Sequence, residues 1–228
     1  MSDSTSAVHL LKHHFRDMGQ QSETSAFGMW VFLVTEIMFF GGLFAAYLIY
    51  RVLYFDSFAA ASTSINVIWG TTNTAVLICS SLTMAMAVYS AQLGRKKALI
   101  GFLAVTMLLG TAFLCIKGKE YYDKFQEHHV PGPSYHFVVE PEMAQRFHAI
   151  DPQKTEIFFS LYFIMTGLHA IHMIVGLGLL AWLLIRSTRG EFGSMYYTPI
   201  ELSGLYWHFV DIVWIWLYPL LYLIDRHH

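Results

Sequence analysis

Charge is what this sequence has least of. Asp, Glu, Lys and Arg make up 13% of its 228 residues, against about 25% in an ordinary soluble domain, so water is not the main solvent of the chain. The 14 basic side chains are offset by 16 acidic ones and are scattered, which leaves no electrostatic footprint for nucleic acid. Cysteine is nearly missing. Cys79 and Cys115 both lie inside apolar runs, so neither a disulfide framework nor a cysteine-rich metal site is available. Nucleophile elbows and glycine-rich phosphate loops are absent as well.

What the chain has instead is apolar length. Crossing the roughly 30 Å hydrocarbon layer takes about 20 residues of helix, and five stretches reach that length with at most one charge: 26–50 (Glu36 alone), 66–91, 98–116, 157–185 and 202–224 (Asp211 alone). In lipid every backbone N–H and C=O must be paired within its own segment or in a closed barrel, and the short alternating strands of a barrel are not visible. The expected fold is therefore all-α: a polytopic membrane protein, a five-transmembrane-helix bundle with no soluble domain. Tyr47, Tyr50 and Tyr54, Tyr121 and Tyr122, and Tyr196 and Tyr197 mark span ends.

Residues 1–25 are polar and precede an apolar stretch too long for a cleaved signal. They are read as a cytoplasmic N-terminal segment, in which His9 to Phe15 forms an amphipathic surface stretch. Arg95, Lys96 and Lys97, Arg186 and Arg189, and Lys12 and Arg16 fall on one side in short loops, which puts the N-terminus in the cytoplasm and the C-terminus outside. A long outer loop, 117–156, carries His128, His129, His136 and His148 among prolines and acids and is read as solvated. Gly41 and Gly42, Ser80 and Ser81, and Gly176 and Gly178 suit close helix packing; lipid-facing glycines are the alternative.

Depth singles out a few side chains, because an ionisable group near the bilayer centre costs at least about 2.5–3.5 kcal/mol and needs a partner. Glu36, His169 and His172, and His208 and Asp211 all lie near the middles of their spans. The two i, i+3 pairs each project from one helix face, and those faces must point into protein. Glu36 is either a carboxylic acid hydrogen-bonded across helices or a proton relay or ligand. His208 and Asp211 read as a hydrogen-bonded pair or a link to another helix, with proton transfer as the alternative. Two facing histidines can hold haem, but only Gly167 and Gly204 offer room nearby. Zinc or copper needs three or four convergent ligands, and no such cluster is evident at ligand spacing.

In order along the chain, GMWVFLVTEIMFFGGLFAAY around Glu36, NTAVLICSS (Asn73 to Ser81), TMLLGTAF leading to Glu120 and Tyr121, TGLHAIHMIVG (Thr166 to Gly176) and ELSGLYWHFVDIVWIWLY (Glu201 to Tyr218) resemble subunit III of haem–copper cytochrome oxidases. The resemblance is collinear over about residues 27–220, and TEIMFF, HAIH and WHFVD together are specific. It implies an accessory subunit without catalytic residues, metal or haem of its own, in a bacterial-type plasma membrane. Haem and copper would sit in partner subunits; the chain would dock on subunits I and II and hold phospholipid in a cleft beside an O2 route, near cytochrome c or its donor domain. By the same resemblance Glu36 matches the family's buried carboxylate, and Glu120, His169, His172, Glu201, His208 and Asp211 match its other recurrent polar positions. The longest family members have seven spans and this chain begins at what resembles the third, so the remaining helices are expected to be absent or on a neighbouring chain. The outer loop is also longer than the family leads one to expect.

Other readings stay open at this stage. Subunit III of a quinol oxidase and an accessory subunit of a nitric-oxide reductase share the architecture. A membrane b-type cytochrome would need bound haem, and a small transporter would need broken helices or inverted repeats near the midplane.

Overall fold

The computed structural model describes residues 15–133, 135–139, 143, 146, 147, 149–194 and 196–224. The amphipathic stretch before Phe15, and His148, lie outside them. Among the described residues six helices follow one another: α1 (Met18–Leu53), α2 (Phe55–Thr63), α3 (Val67–Gln92), α4 (Lys96–Gln126), α5 (Pro152–Thr188) and α6 (Thr198–Tyr222). The all-helical membrane class expected from the sequence is the one found.

Local chemistry sets the ends. Asp17 caps α1 by accepting from Gln20 N at 2.7 Å, and Gln20 Oε1 accepts from Arg16 N at 2.8 Å, a reciprocal arrangement in the manner of a capping box. Asn66 and Asp151 cap α3 and α5 in the same way, and Pro152 supplies the preset φ of the first turn. Tight turns after α3 and α5 depend on Gly94 (φ 67°) and Gly190 (φ 79°), the left-handed positions at which a helix stops without steric cost.

The helices run well past the apolar stretches. At 1.5 Å per residue, the 36 residues of α1 span about 54 Å, and α4 stays helical through Gln126, so the connection to α5 comprises residues 127–151. The stretch between the first two spans is also helical: α2 is short, and Ser57 to Ser62 within it are all buried.

Among the described residues four helices, α1, α3, α4 and α5, are long and apolar enough to cross a membrane. The expected count of five is corrected on α6, whose 25 residues suffice in length but whose Glu201, His208, Asp211, tryptophans and tyrosines dilute its apolar character. It tolerates them because its neighbours cover it. The helices α3, α4, α5 and α6 close a ring of contacts, α3 on α4, α4 on α5, α5 on α6 and α6 back on α3, while α1 leans on α5 and α6.

Trp207 of α6 is the key of that ring. Its indole lies where a Cβ on Gly110 would come within 2.7 Å and one on Gly176 within 2.9 Å, and its Nε1 donates to Ser80 Oγ at 2.9 Å. Gly41, Gly42 and Gly178, by contrast, have nothing within 4 Å of where a Cβ would stand. Gly110→Ala is expected to lower stability by about 1–3 kcal/mol through overpacking, whereas Gly178→Ala is expected to be neutral or to gain up to about 1 kcal/mol. Thermal unfolding of both variants in detergent, followed by circular dichroism, checks this.

Candidate functional site: polar groups inside the bundle

Glu36 on α1 meets His172 on α5, with Oε2 and Nε2 3.2 Å apart. The imidazole is fixed from behind, its Nδ1 lying 2.8 Å from Leu168 O, so Nδ1 carries a hydrogen and donates. The contact between Nε2 and the carboxyl then requires one shared proton, on either partner. Phe40 packs edge-on against this ring at 5.4 Å, and Tyr206 donates to the His172 carbonyl at 2.9 Å.

One turn earlier His169 faces elsewhere. It is 1% exposed, lodged between Phe113 and Trp214 at 5.4 and 5.2 Å, and neither ring nitrogen has a hydrogen-bond partner. The expected common face of His169 and His172 is thus divided between two neighbours, α1 on one side and α4 with α6 on the other. On α6, His208 Nδ1 lies 2.7 Å from Ser81 Oγ of α3, a link to another helix. Asp211 is 3% exposed, and neither of its oxygens meets hydrogen-bond geometry with any partner. Glu201 sits half-buried in the first turn of α6, where an acid complements the helix dipole; no described side chain hydrogen-bonds to it.

The densest polar cluster lies at the end of the bundle nearest the 127–151 connection, and it is built on Glu120. Lys117 Nζ donates to Glu120 Oε2 at 3.1 Å, to Tyr162 Oη at 3.2 Å and to Tyr222 Oη at 2.8 Å. Tyr162 and Tyr222 in turn donate to Glu120 Oε1 at 2.6 and 2.5 Å. All three ammonium hydrogens are used, and the carboxylate accepts three bonds. The rings of Tyr121, Tyr162, Trp214 and Tyr222 surround the ammonium at 5.0–5.6 Å, adding cation–π attraction in a desolvated setting. Sequence reasoning found Glu120 but missed Lys117, Tyr162 and Tyr222. The signal was present in the buried face of α4, Leu99, Leu103, Thr106, Gly110, Phe113, Lys117, Glu120 and Lys124, whose three- and four-residue spacing continues through the charges.

Among the described residues no three His, Cys, Asp or Glu side chains converge as a metal site would require. The cluster neutralises charge internally and joins α4, α5 and α6.

Sequence comparison bears on what such a bundle belongs to. The profile of the cytochrome c oxidase subunit III family matches residues 143–225, which include all of α5 and α6. A protein of Mycobacterium leprae and one of Nocardia farcinica, each described as "Probable cytochrome c oxidase subunit 3", are 34% and 32% identical over 197 residues, 86% of this chain and 86% of each relative. The chain belongs to the cytochrome c oxidase subunit III family. The cytochrome c oxidase subunit 3 of the cod Gadus morhua is 31% identical over 209 residues, but there the match covers 68% of the relative.

Outside the membrane-crossing helices, the connection 127–151 is docked by His129. Its ring stacks on Phe159 at 4.9 Å and 20° beside Phe137. Tyr135, whose hydroxyl burial pushes up to about 12, donates to Thr155 Oγ1 at 2.7 Å. Burial first, and then the Lys124 ammonium, hold the His129 pKa below the ordinary 6.5, with Glu127 pulling the other way. The undocked loop therefore binds a proton more readily than the docked one. Docking is expected to be full above pH 6.5 and to weaken as pH falls from there toward the lowered value, and His129→Phe is expected to remove that dependence; protease cleavage rates in the loop against pH measure it. For the buried cluster, Lys117→Met alone is expected to cost about 3–5 kcal/mol, because it strands the Glu120 carboxylate. Adding Glu120→Leu is expected to recover part of that loss, as unfolding of the single and double variants in detergent reads directly.

Proposed function

We propose that the chain is the accessory subunit III of a proton-pumping haem–copper cytochrome c oxidase in aerobic respiration. In this reading it makes and breaks no bonds. It supports the stability of subunit I, sustains proton uptake and keeps a route for O2 and lipid, while haem and copper sit in the partner subunits. The observation that carries the reading is the family match spread over 86% of the chain, and the interior supports it, since its polar groups are engaged with one another or enclosed. A groove of about 670 Å³ between α1 and α6, lined by Trp30, Phe40 and Gly41 on one side and Phe209 and Trp216 on the other, has apolar walls suited to a phospholipid acyl chain.

The same reading places the chain in a bacterial-type plasma membrane, N-terminus in the cytoplasm and C-terminus outside, against subunits I and II. The 127–151 connection then faces outward, where it is available to the electron-donor domain or cytochrome c. Affinity purification from native membranes is expected to recover a haem-bearing partner, visible in the reduced-minus-oxidised spectrum, while the separated chain is colourless. Glu36→Ala is expected to weaken assembly or sustained turnover without altering the partner's haem spectrum. A coloured isolated chain, or a loss of partner haem in the variant, overturns the supporting role.

A further inference from the structure

The groove between α1 and α6 holds one group that an acyl chain does not answer. Its lining runs from Trp30 to Leu48 on α1 and from Leu205 to Leu220 on α6. The α1 stretch is about 27 Å long at 1.5 Å per residue, most of the hydrocarbon layer. Midway along α6 the apolar lining is interrupted by His208, its one ionisable side chain.

His208 is half-buried. Its Nδ1 lies 2.7 Å from Ser81 Oγ on α3, and Ser81 is itself near the enclosed Asp211 carboxyl, so the imidazole is oriented from the α3 side. Nε2, at the other edge of the ring, has no partner among the described residues and is the nitrogen available to the groove. The Ser81 hydroxyl can accept from Nδ1 or donate to it, which makes Nε2 an acceptor or a donor in turn.

The surroundings of this nitrogen suit a flat ring. Phe40 and Phe209 meet with centroids 6.4 Å apart and line the groove beside it, with Trp216 further along. Gly41, opposite on α1, has nothing within 4 Å of where a Cβ would stand, so the groove reaches the α1 backbone there. At about 670 Å³ it has the size of a small-molecule site, with the usual combination of apolar and aromatic walls and very few polar groups.

Phospholipid leaves Nε2 unmet, because its acyl chains carry no hydrogen-bonding group and its headgroups lie about 15 Å away, half the hydrocarbon thickness. An isoprenoid quinone is apolar enough to enter the layer and carries its oxygens on a ring that stacks on aromatic side chains. Its oxidised form accepts a hydrogen bond and its reduced form donates one, matching both tautomers of His208. We propose that the groove between α1 and α6 is a binding site for an isoprenoid quinone, with a ring oxygen hydrogen-bonded to His208 Nε2 and the tail along the apolar walls. The site lies within this one chain and goes beyond the oxidase reading without depending on it.

The test irradiates native membranes containing the full chain with a short-tailed azidobenzoquinone and maps the labelled peptides by mass spectrometry. Label is expected on the groove segments of α1 and α6, displaced by unlabelled decylbenzoquinone but not by phosphatidylethanolamine or oleate. His208→Leu is expected to raise the half-saturating probe concentration about two- to twelvefold, the net worth of one hydrogen bond. His208→Gln, which keeps a hydrogen-bonding terminus, is expected to recover most of that loss. Gly41→Phe is expected to abolish the label by filling the groove, because nothing packs against that position. Equal displacement by phosphatidylethanolamine or oleate makes the groove an acyl-chain site and overturns the quinone site. So do labelling left unchanged by His208→Leu or by Gly41→Phe, equal loss in His208→Leu and His208→Gln, and label confined to segments outside α1 and α6. Each of these outcomes leaves the accessory-subunit reading intact, since that reading is decided separately by recovery of a haem-bearing partner.

Discussion

A carboxylate, an imidazole or a free backbone carbonyl inside a hydrocarbon layer has no water to turn to, so its position is tolerable only where protein supplies the missing bond. Much of this bundle is arranged around that requirement. The last carbonyls of α6 are met by side chains of other helices: Leu220 O accepts from Tyr47 Oη at 2.5 Å, and Leu221 O accepts from Ser62 Oγ at 2.9 Å. Lys117 and Glu120 are enclosed together with two tyrosine hydroxyls that bond to both. Each such bond also fixes one helix against another, so satisfying the polar groups and setting the helix positions are one event.

Packing and polarity are joined most closely in α6. Its Trp207 fills the space left by two glycines on α4 and α5 and bonds to Ser80 on α3, while Trp214 donates to Thr74 at 3.1 Å and packs on Phe113 and His169. Large aromatic rings bury much area and retain one polar handle, which suits a helix surrounded by others. A lipid-facing helix needs aliphatic side chains; an enclosed one does not. This is why the segment with the weakest claim to cross a membrane alone is the one that packs on α1, α3 and α5 together.

Apolar length made the class and most of the helices legible in the sequence, and depth made Glu36, His172, His208 and Asp211 legible as residues in need of partners. Helix extent was not. A hydropathy boundary marks where the lipid ends, whereas α4 ends at Gln126, well past Lys117, because its buried face continues onto α5 and α6. Reading Lys117 as the start of a loop hid the partner of Glu120. Which neighbour each polar group takes was also beyond the sequence: residues three apart on a helix diverge by about 60°, enough to send His169 and His172 to different helices. The glycines divided for the same reason, Gly176 against Trp207 and Gly178 against nothing.

The way α1 is attached has a consequence for biosynthesis. It buries only Leu33, Phe40 and Tyr47, one residue every second turn, and its packing partners beyond α2 are α5 and α6, which leave the ribosome last. Glu36 and His172 are 136 residues apart, roughly 7–27 s of elongation. Throughout that interval the partner of Glu36 has not yet been made, so the contact that fastens the first helix at mid-membrane depth is among the last the bundle can form.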